Sequence, residues 1–124
     1  VDMQRVVNSQ STDLFIIEDA SQAHGATYSG NSPGKFSHGA TYSFYPGKNL
    51  GAFGDGGLIN TNISNLDKKL KLLRNYGSQK KYKHEIVGFN SRLDPLQAVV
   101  LSEKLKLLNK WNEMRITIKL ILIF

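Results

Sequence analysis

The turn at Pro46-Gly47 restricts the fold of this chain more than any other feature of its sequence. A segment rich in β-forming residues, 40–45, runs up to the turn, and a cluster of glycines, 54–57, follows it. The chain must therefore leave a strand sharply at this point. Lys48 lies directly behind the turn, where a side chain has little freedom to swing into solvent. We interpret Lys48 as an amine that is held for covalent chemistry with a carbonyl.

A second strand-like segment ends in acidic residues. The short apolar run 14–17 is typical of a strand that is buried on both faces in a parallel sheet, and Glu18 and Asp19 follow it directly. Ligands of open α/β sheets bind outside the carboxyl ends of the strands, which makes Asp19 a candidate site residue. Asp19 could equally cap a following turn or helix, and the residues alone leave both roles open.

The remaining segments predict helices, one further strand and loops. Two helices have clear start signals, because Ser64 or Asn65 can cap the first and Asp94-Pro95 opens the second. In chain order the predictions are a helix within 1–9 that ends at Ser11 and Thr12, a loop at 25–39, a strand at 57–61, a helix at 64–75 before Gly77, a polar loop at 77–90 and a long amphipathic helix at 94–115.

The charge of the chain does not by itself indicate a nucleic-acid-binding protein. The formal net charge is +6 and the pI is about 9.6, which would suit a polyanionic partner. The excess lies mainly in two segments, 68–74 and 80–83, which we interpret as a solvated helix face and a loop. No known reader motif accompanies them, so we expect no nucleic-acid partner.

Several classes of site lack the residues or the spacing they need. The sequence has no cysteine, which excludes disulfides and thiolate zinc sites, and we expect a cytoplasmic protein. The three histidines are scattered and predict no metal site. Gly47-Lys48 lacks the spacing of a P-loop, and the glycines at 54–57 lack that of a dinucleotide-binding fingerprint. No apolar run approaches the ~20 residues that span a bilayer, so we expect no membrane partner.

A lysine, an aspartate and a serine at strand ends of one sheet remain as the chemically informative set. Lys48, Asp19 and Ser43 suit pyridoxal phosphate. Its aldehyde forms a Schiff base with lysine, and its ring nitrogen needs an acidic partner to stay protonated. On these residues alone this cofactor is one of several possibilities.

Four motifs resemble one family of enzymes. They are Ile17–Ala26, Ser43–Ala52, Gly88–Asp94 and Gln97-Ala98. Together they are similar to the DegT/DnrJ/EryC1/StrS aminotransferases, which are pyridoxal-phosphate enzymes that aminate keto sugars attached to nucleotides. The likeness runs from about Asp13 to Arg115. It implies an incomplete α/β fold, part of the large cofactor-binding domain of a fold-type I (aspartate aminotransferase-like) enzyme, with a mostly parallel sheet flanked by helices in three layers.

The resemblance also implies roles for individual residues. Asp19 matches the aspartate that pairs with the pyridine nitrogen, and Gln22 matches the residue beside the phenolic oxygen of the ring. Ser43 matches a phosphate ligand. Lys48 matches the catalytic lysine that carries the cofactor and later moves a proton. Asn90 matches a residue that reaches the cofactor phosphate of the neighbouring subunit, which implies a homodimer.

Two segments imply the class of substrate. Residues 76–82 and 90–94 look most like those of family members that act on 3-keto-6-deoxyhexoses linked to dTDP. The amino donor in this family is commonly glutamate. The resemblance therefore implies transfer of an amino group, through pyridoxal phosphate, from glutamate to a nucleotide-linked keto sugar. Arg92 is interpreted as a structural or interface residue.

The chain also departs from the family pattern. Family members are well over twice as long, so we expect 1–115 to be a partial large domain that ends in the long helix 94–115, with the small carboxyl-terminal domain absent. We expect the apolar segment 116–124 to match no family segment, which would suggest a truncated product. The alternatives to an active aminotransferase are then a catalytically inert remnant of one, or a basic binding module.

Overall fold

The chain is described by a computed structural model that covers residues 2–9 and 14–122. These ranges contain both helices and strands, and they include a parallel strand pair, which is consistent with the predicted α/β class. In chain order the elements are α1 (Met3–Asn8), β1 (Ile17–Asp19), β2 (Gly39–Ser43), β3 (Gly57–Asn60), α2 (Ser64–Leu73), β4 (Ser78–Lys80), β5 (Lys83–His84), α3 (Pro95–Leu105) and α4 (Leu108–Leu122).

Strand β2 lies between β1 and β3 in a three-stranded sheet. β1 is parallel to β2, and Asp19 is paired with Thr41. β3 is antiparallel to β2, and Gly57 is paired with Ser43. Because parallel neighbours end at the same edge of a sheet, the residues that follow β1 and β2 emerge on one side.

The predicted first strand is wrong in its position and its burial. β1 begins at Ile17 rather than at Leu14, and it ends at Asp19. Leu14 and Phe15 precede the strand and are 58% and 59% exposed. Within the described ranges β1 pairs with β2 on one side only, so the apolar run has no second strand to bury it.

The other predicted strands are confirmed, with small shifts at their ends. β2 ends at Ser43 and β3 at Asn60, each a little earlier than expected. The first helix is also present, and it ends at Asn8. The stop predicted at Ser11 and Thr12 lies outside the described residues.

Helix α2 lies where the sequence predicts a helix, but its predicted cap is wrong. Ile63 occupies the cap position and offers no side-chain hydrogen bond, while Ser64 is already helical and Asn65 follows it. The predicted loop 77–90 contains a short hairpin made of β4 and β5. Gly77 begins that loop at a φ of +70°, a backbone conformation that favours glycine and ends helices.

The long helix predicted at 94–115 is two helices. Its start is confirmed, because the Asp94 carboxylate caps α3. α3 ends at Leu105, and α4 runs from Leu108 to Leu122 and so includes much of the apolar tail. No proline or glycine separates the two helices, so the sequence pattern carries no signal for the break.

A small apolar core joins the turn after β2 to the two long helices. The turn supplies Phe44, Leu50 and Ala52, and the helices supply Leu101 and Leu108. Each of these side chains is at most 9% exposed. The turn that carries the candidate lysine therefore contributes buried side chains on both sides of it.

The acidic side chain beside the candidate aspartate has a structural role. Glu18 Oε1 accepts the Gly34 amide at 2.7 Å and the Ser37 hydroxyl at 2.6 Å. Across residues 2–9 and 14–122, no group of three or more His, Cys, Asp and Glu side chains could hold a metal ion. No helix of the same ranges is long and apolar enough to cross a membrane.

We expect Leu101→Ala to lower the free energy of unfolding by about 2–4 kcal/mol, because it leaves a cavity beneath the turn. The matched control is Leu105→Ala on the same helix, where the side chain is 57% exposed. That change should cost less than about 1 kcal/mol. Urea denaturation followed by circular dichroism measures both. Equal losses in the two variants would contradict this core.

Candidate active site

Asp19 ends β1 and remains exposed at the edge of the sheet. Its Oδ1 accepts the Ser21 amide at 3.0 Å, so the aspartate does cap a turn. Hydrogen bonds from the side chain and backbone of Ser21, together with the nearby Lys48 charge, lower the pKa of the Asp19 carboxyl. Asp19 is therefore an accessible carboxylate, ionised at neutral pH, within electrostatic reach of Lys48.

The backbone of Lys48 is fixed in a turn that closes on itself. The Lys48 amide donates to the Tyr45 carbonyl at 2.9 Å, and the Ala52 amide donates to the Phe44 carbonyl at 2.7 Å. Gly51 packs so tightly that a Cβ there would lie only 2.9 Å from the Tyr45 carbonyl oxygen. The close approach therefore requires glycine at this position. The Lys48 side chain is partly buried as it leaves the turn.

Helix α3 holds the loop that follows this turn. Lys104 Nζ donates to the Gly51 carbonyl at 2.6 Å and lies 4.9 Å from the centroid of the Phe53 ring. Gln97 Oε1 accepts the Phe53 amide at 2.9 Å. The helical periodicity of the sequence did not predict either contact, because it placed Lys104 outside the apolar face of the helix and did not single out Gln97. Membership of a family motif was the one signal available for Gln97.

Ser43 is the last residue of β2, and Gln22 lies in the turn after β1. The Ser43 hydroxyl oxygen accepts the Tyr45 amide at 3.3 Å, and its hydrogen can still donate to a ligand. Gln22 is exposed in the turn after β1, where the Ala23 amide donates to the Ala20 carbonyl at 2.9 Å. The structure therefore brings the residues expected after β1 and β2 to one edge of the sheet.

Asn90 belongs to another part of the chain. Its backbone pairs with Asn75, just beyond the end of α2. Arg92 supports this segment, because its Nη1 donates to Asn75 Oδ1 at 3.0 Å and its guanidinium lies 5.1 Å from the centroid of the Tyr76 ring. These contacts give Arg92 a structural role. Asn90 itself is exposed, and the hydrogen bonds of its segment go to the end of α2.

His24 is buried behind the lysine turn and was not singled out by its sequence context. It is 4% exposed, and its ring lies 5.6 Å from that of Tyr42 and 6.0 Å from that of Phe44. Neither ring nitrogen has a hydrogen-bond partner among the residues that the structure describes. Burial lowers the pKa of His24, an interaction with the Ser43 backbone opposes this shift in part, and the Lys48 charge lowers the pKa further. The imidazole is therefore neutral at neutral pH and packs as an apolar ring.

The lowered pKa of His24 predicts a stability that depends on pH. Its folded pKa lies below the ordinary value of 6.5, so the unfolded chain binds the proton first as the pH falls. The contribution of His24 to the free energy of unfolding is therefore fully present above about pH 6.5 and is lost as the pH falls through the folded pKa. The slope of the free energy of unfolding against pH corresponds to the uptake of at most one proton on unfolding.

Urea denaturation at several pH values between about 7.5 and 5.5 measures how the free energy of unfolding changes as one histidine titrates. His24→Phe should remove the slope, and His84→Gln at an exposed position should keep it. A slope that survives in His24→Phe would assign the pH dependence to another group.

Comparison with known proteins decides the family. The model of the DegT/DnrJ/EryC1/StrS aminotransferase family matches residues 1–123. The chain belongs to this family. Among curated members, the dTDP-3-amino-3,4,6-trideoxy-alpha-D-glucose transaminase of Streptomyces venezuelae is 56% identical over 102 residues, which are 82% of this chain and 27% of that enzyme.

Solved structures of DegT/DnrJ/EryC1/StrS aminotransferases share the fold. DesV of S. venezuelae, in complex with a ketimine intermediate, matches with a TM-score of 0.88 and 50% identity over 94% of this chain and 32% of that one. The Bacillus subtilis protein ntda, with bound cofactor PMP, matches with a TM-score of 0.75 and 38% identity over 87% of this chain and 25% of that one. These matches confirm a partial fold-type I aminotransferase fold. The chain spans about a quarter to a third of the length of these relatives.

Proposed function

We propose that this chain supplies the lysine-bearing part of a pyridoxal-phosphate-dependent aminotransferase that acts on a nucleotide-linked keto sugar. The observation that carries the proposal is the parallel pairing of β1 and β2, which brings Asp19 and the turn of Lys48 to one edge of the sheet, with the Lys48 charge contributing to the lowered pKa of Asp19. Membership of the family supports the same assignment. Residues 1–115 then belong to the large cofactor-binding domain.

The donor set at the edge suits pyridoxal phosphate. The cofactor presents an aldehyde, a basic ring nitrogen, a phenolic oxygen and a phosphate. Lys48 offers an amine, Asp19 an anionic carboxylate, Gln22 a carboxamide and Ser43 a hydroxyl whose hydrogen can donate. When bound, the cofactor supplies a ring that accepts electron density from the substrate carbon.

Each of the four residues at this edge of the sheet has a proposed role toward the cofactor. Asp19 holds a proton on the ring nitrogen, which its low pKa permits because it stays ionised. Ser43 donates to the phosphate, and Gln22 donates to the phenolic oxygen. Lys48 Nζ would anchor the cofactor and, once the amino donor has released it, would move a proton from the donor carbon to the cofactor carbon. A single amine therefore serves as anchor and as acid and base.

Asn90 is proposed to act across a homodimer. It is exposed, and its backbone is tied to the end of α2 rather than to the edge that carries Asp19. A fixed backbone with an exposed carboxamide suits a residue that donates to the cofactor phosphate of the partner subunit.

The proposed substrate is a dTDP-linked 3-keto-6-deoxyhexose, with glutamate as the amino donor. The segments 76–82 and 90–94 support this choice through their likeness to family members with such substrates. A relative that shares 56% identity over 102 residues carries the name of a transaminase of a dTDP-linked 3-amino sugar. The cytoplasm is the proposed location, since it supplies both nucleotide sugars and glutamate.

Capture of the cofactor by Lys48 tests the proposal. We expect the full chain, incubated with pyridoxal phosphate and reduced with borohydride, to carry a phosphopyridoxyl group on Lys48 in preference to its other lysines. Lys48→Arg should abolish this label, and Lys68→Arg on the exposed face of α2 should leave it intact. Peptide mass spectrometry locates the label. An inert remnant or a basic binding module instead predicts label spread over the exposed lysines, and that result would overturn the proposal.

A further inference from the structure

Asn112 of α4 connects the two loops that carry the candidate site. Its Nδ2 donates to the His24 carbonyl at 2.9 Å, and its Oδ1 accepts from Asn49 Nδ2 at 3.3 Å. His24 lies in the loop that begins after Asp19, and Asn49 is the neighbour of Lys48 in the chain. One carboxamide therefore contacts the backbone of the first loop and a side chain of the second.

The chemistry of this contact requires both ends of the carboxamide. A backbone carbonyl can only accept, so Nδ2 of Asn112 must face His24, which leaves Oδ1 for the amide of Asn49. A carboxylate at position 112 would place an oxygen against the His24 carbonyl and lose that bond. An aliphatic side chain would lose both bonds.

The approach of α4 to the first loop also depends on a glycine. Gly25 follows His24 with a φ of +78°, and a Cβ there would lie 2.8 Å from Asn112 Nδ2. Leu108 lies one helical turn before Asn112, on the same face of α4, and is 6% exposed in the core. The carboxamide therefore projects from a helix that is anchored by buried packing.

We propose that Asn112 is a positioning residue that fixes the spacing between Asp19 and Lys48. A ligand that is bound by an amine on one loop and a carboxylate on the other binds well only where both are held to within about 0.5 Å of the productive geometry. Asn112 supplies that restraint by tying the two loops to one helix. The link between the loops stands on the geometry alone, whereas its consequence for a cofactor rests on the proposed function.

Two variants and one control separate the contact of Asn112 with the His24 loop from its contact with the turn of Lys48. Asn112→Asp keeps the shape of the side chain and removes the donor to His24. Asn49→Asp removes the Nδ2 group that donates to Asn112 Oδ1, and it should loosen only the turn that carries Lys48. Asn109→Asp makes the same chemical change at an exposed position on the same helix and serves as the matched control.

Amide hydrogen exchange measured by NMR on the full chain reports the loops without any cofactor. The Lys48 amide is bonded to Tyr45 and the Ala23 amide to Ala20. Asn112→Asp should speed exchange at Ala23 by about tenfold, because it loses the bond to the His24 carbonyl, while the Lys48 amide keeps its rate because an aspartate still accepts from Asn49. The amides of α2 should keep their rates as well. Asn49→Asp should speed exchange at Lys48 alone. Unchanged rates in Asn112→Asp, as in Asn109→Asp, would overturn the link.

Retention of pyridoxal phosphate tests whether the spacing between Asp19 and Lys48 is fixed. It is measured as the absorbance of the bound cofactor that remains after dilution. Asn112→Asp should weaken retention by about tenfold or more while the label still maps to Lys48. Retention equal to that of the unaltered chain, with faster amide exchange, would overturn the positioning role. If the unaltered chain captures no cofactor, the proposed function fails and the positioning role fails with it, although the exchange rates still decide whether Asn112 links the loops.

Discussion

The burial of the turn after β2 against α3 and α4 is the contact on which the rest of the structure depends. Phe44 and Leu50 flank Lys48 in the chain, and both are buried with Leu101 and Leu108. Each buried leucine contributes about 1.5–3 kcal/mol relative to an exposed one. Because the flanking residues are buried, the packing that stabilises the chain also fixes the backbone from which the amine projects.

Polar contacts then set the positions that apolar packing leaves undetermined. Burial of apolar surface has no preferred direction, whereas hydrogen bonds have a defined length and angle. Gln97, Lys104 and Asn112 all project from the two helices, and each bonds to a loop at the sheet edge. The helices therefore do more than cover the core, because they place the two loops relative to each other.

Sequence patterns predict features that depend on local conformation and miss those that depend on distant contacts. Proline and glycine marked the turn before Lys48, and Asp94 marked the start of α3, because backbone preference decides both. The run 14–17 was misplaced, since its burial depends on strands elsewhere in the chain. Asn112 could not be found in this way, because its partners are 63 and 88 residues away. The family motifs included the candidate residues at the ends of β1 and β2, and Gln97, but not Lys104 or Asn112.

Titration of the Asp19 carboxyl carbon by NMR measures most directly whether the turn holds Lys48 beside Asp19. Lys48→Met should raise the pKa of Asp19, because the ammonium is one of the groups that lower it. The hydrogen bonds from Ser21 persist in that variant, so the pKa should stay below its ordinary value of 3.8. Lys68→Met on α2 should leave it unchanged. A pKa of Asp19 that is the same with and without the Lys48 charge would contradict the shared site.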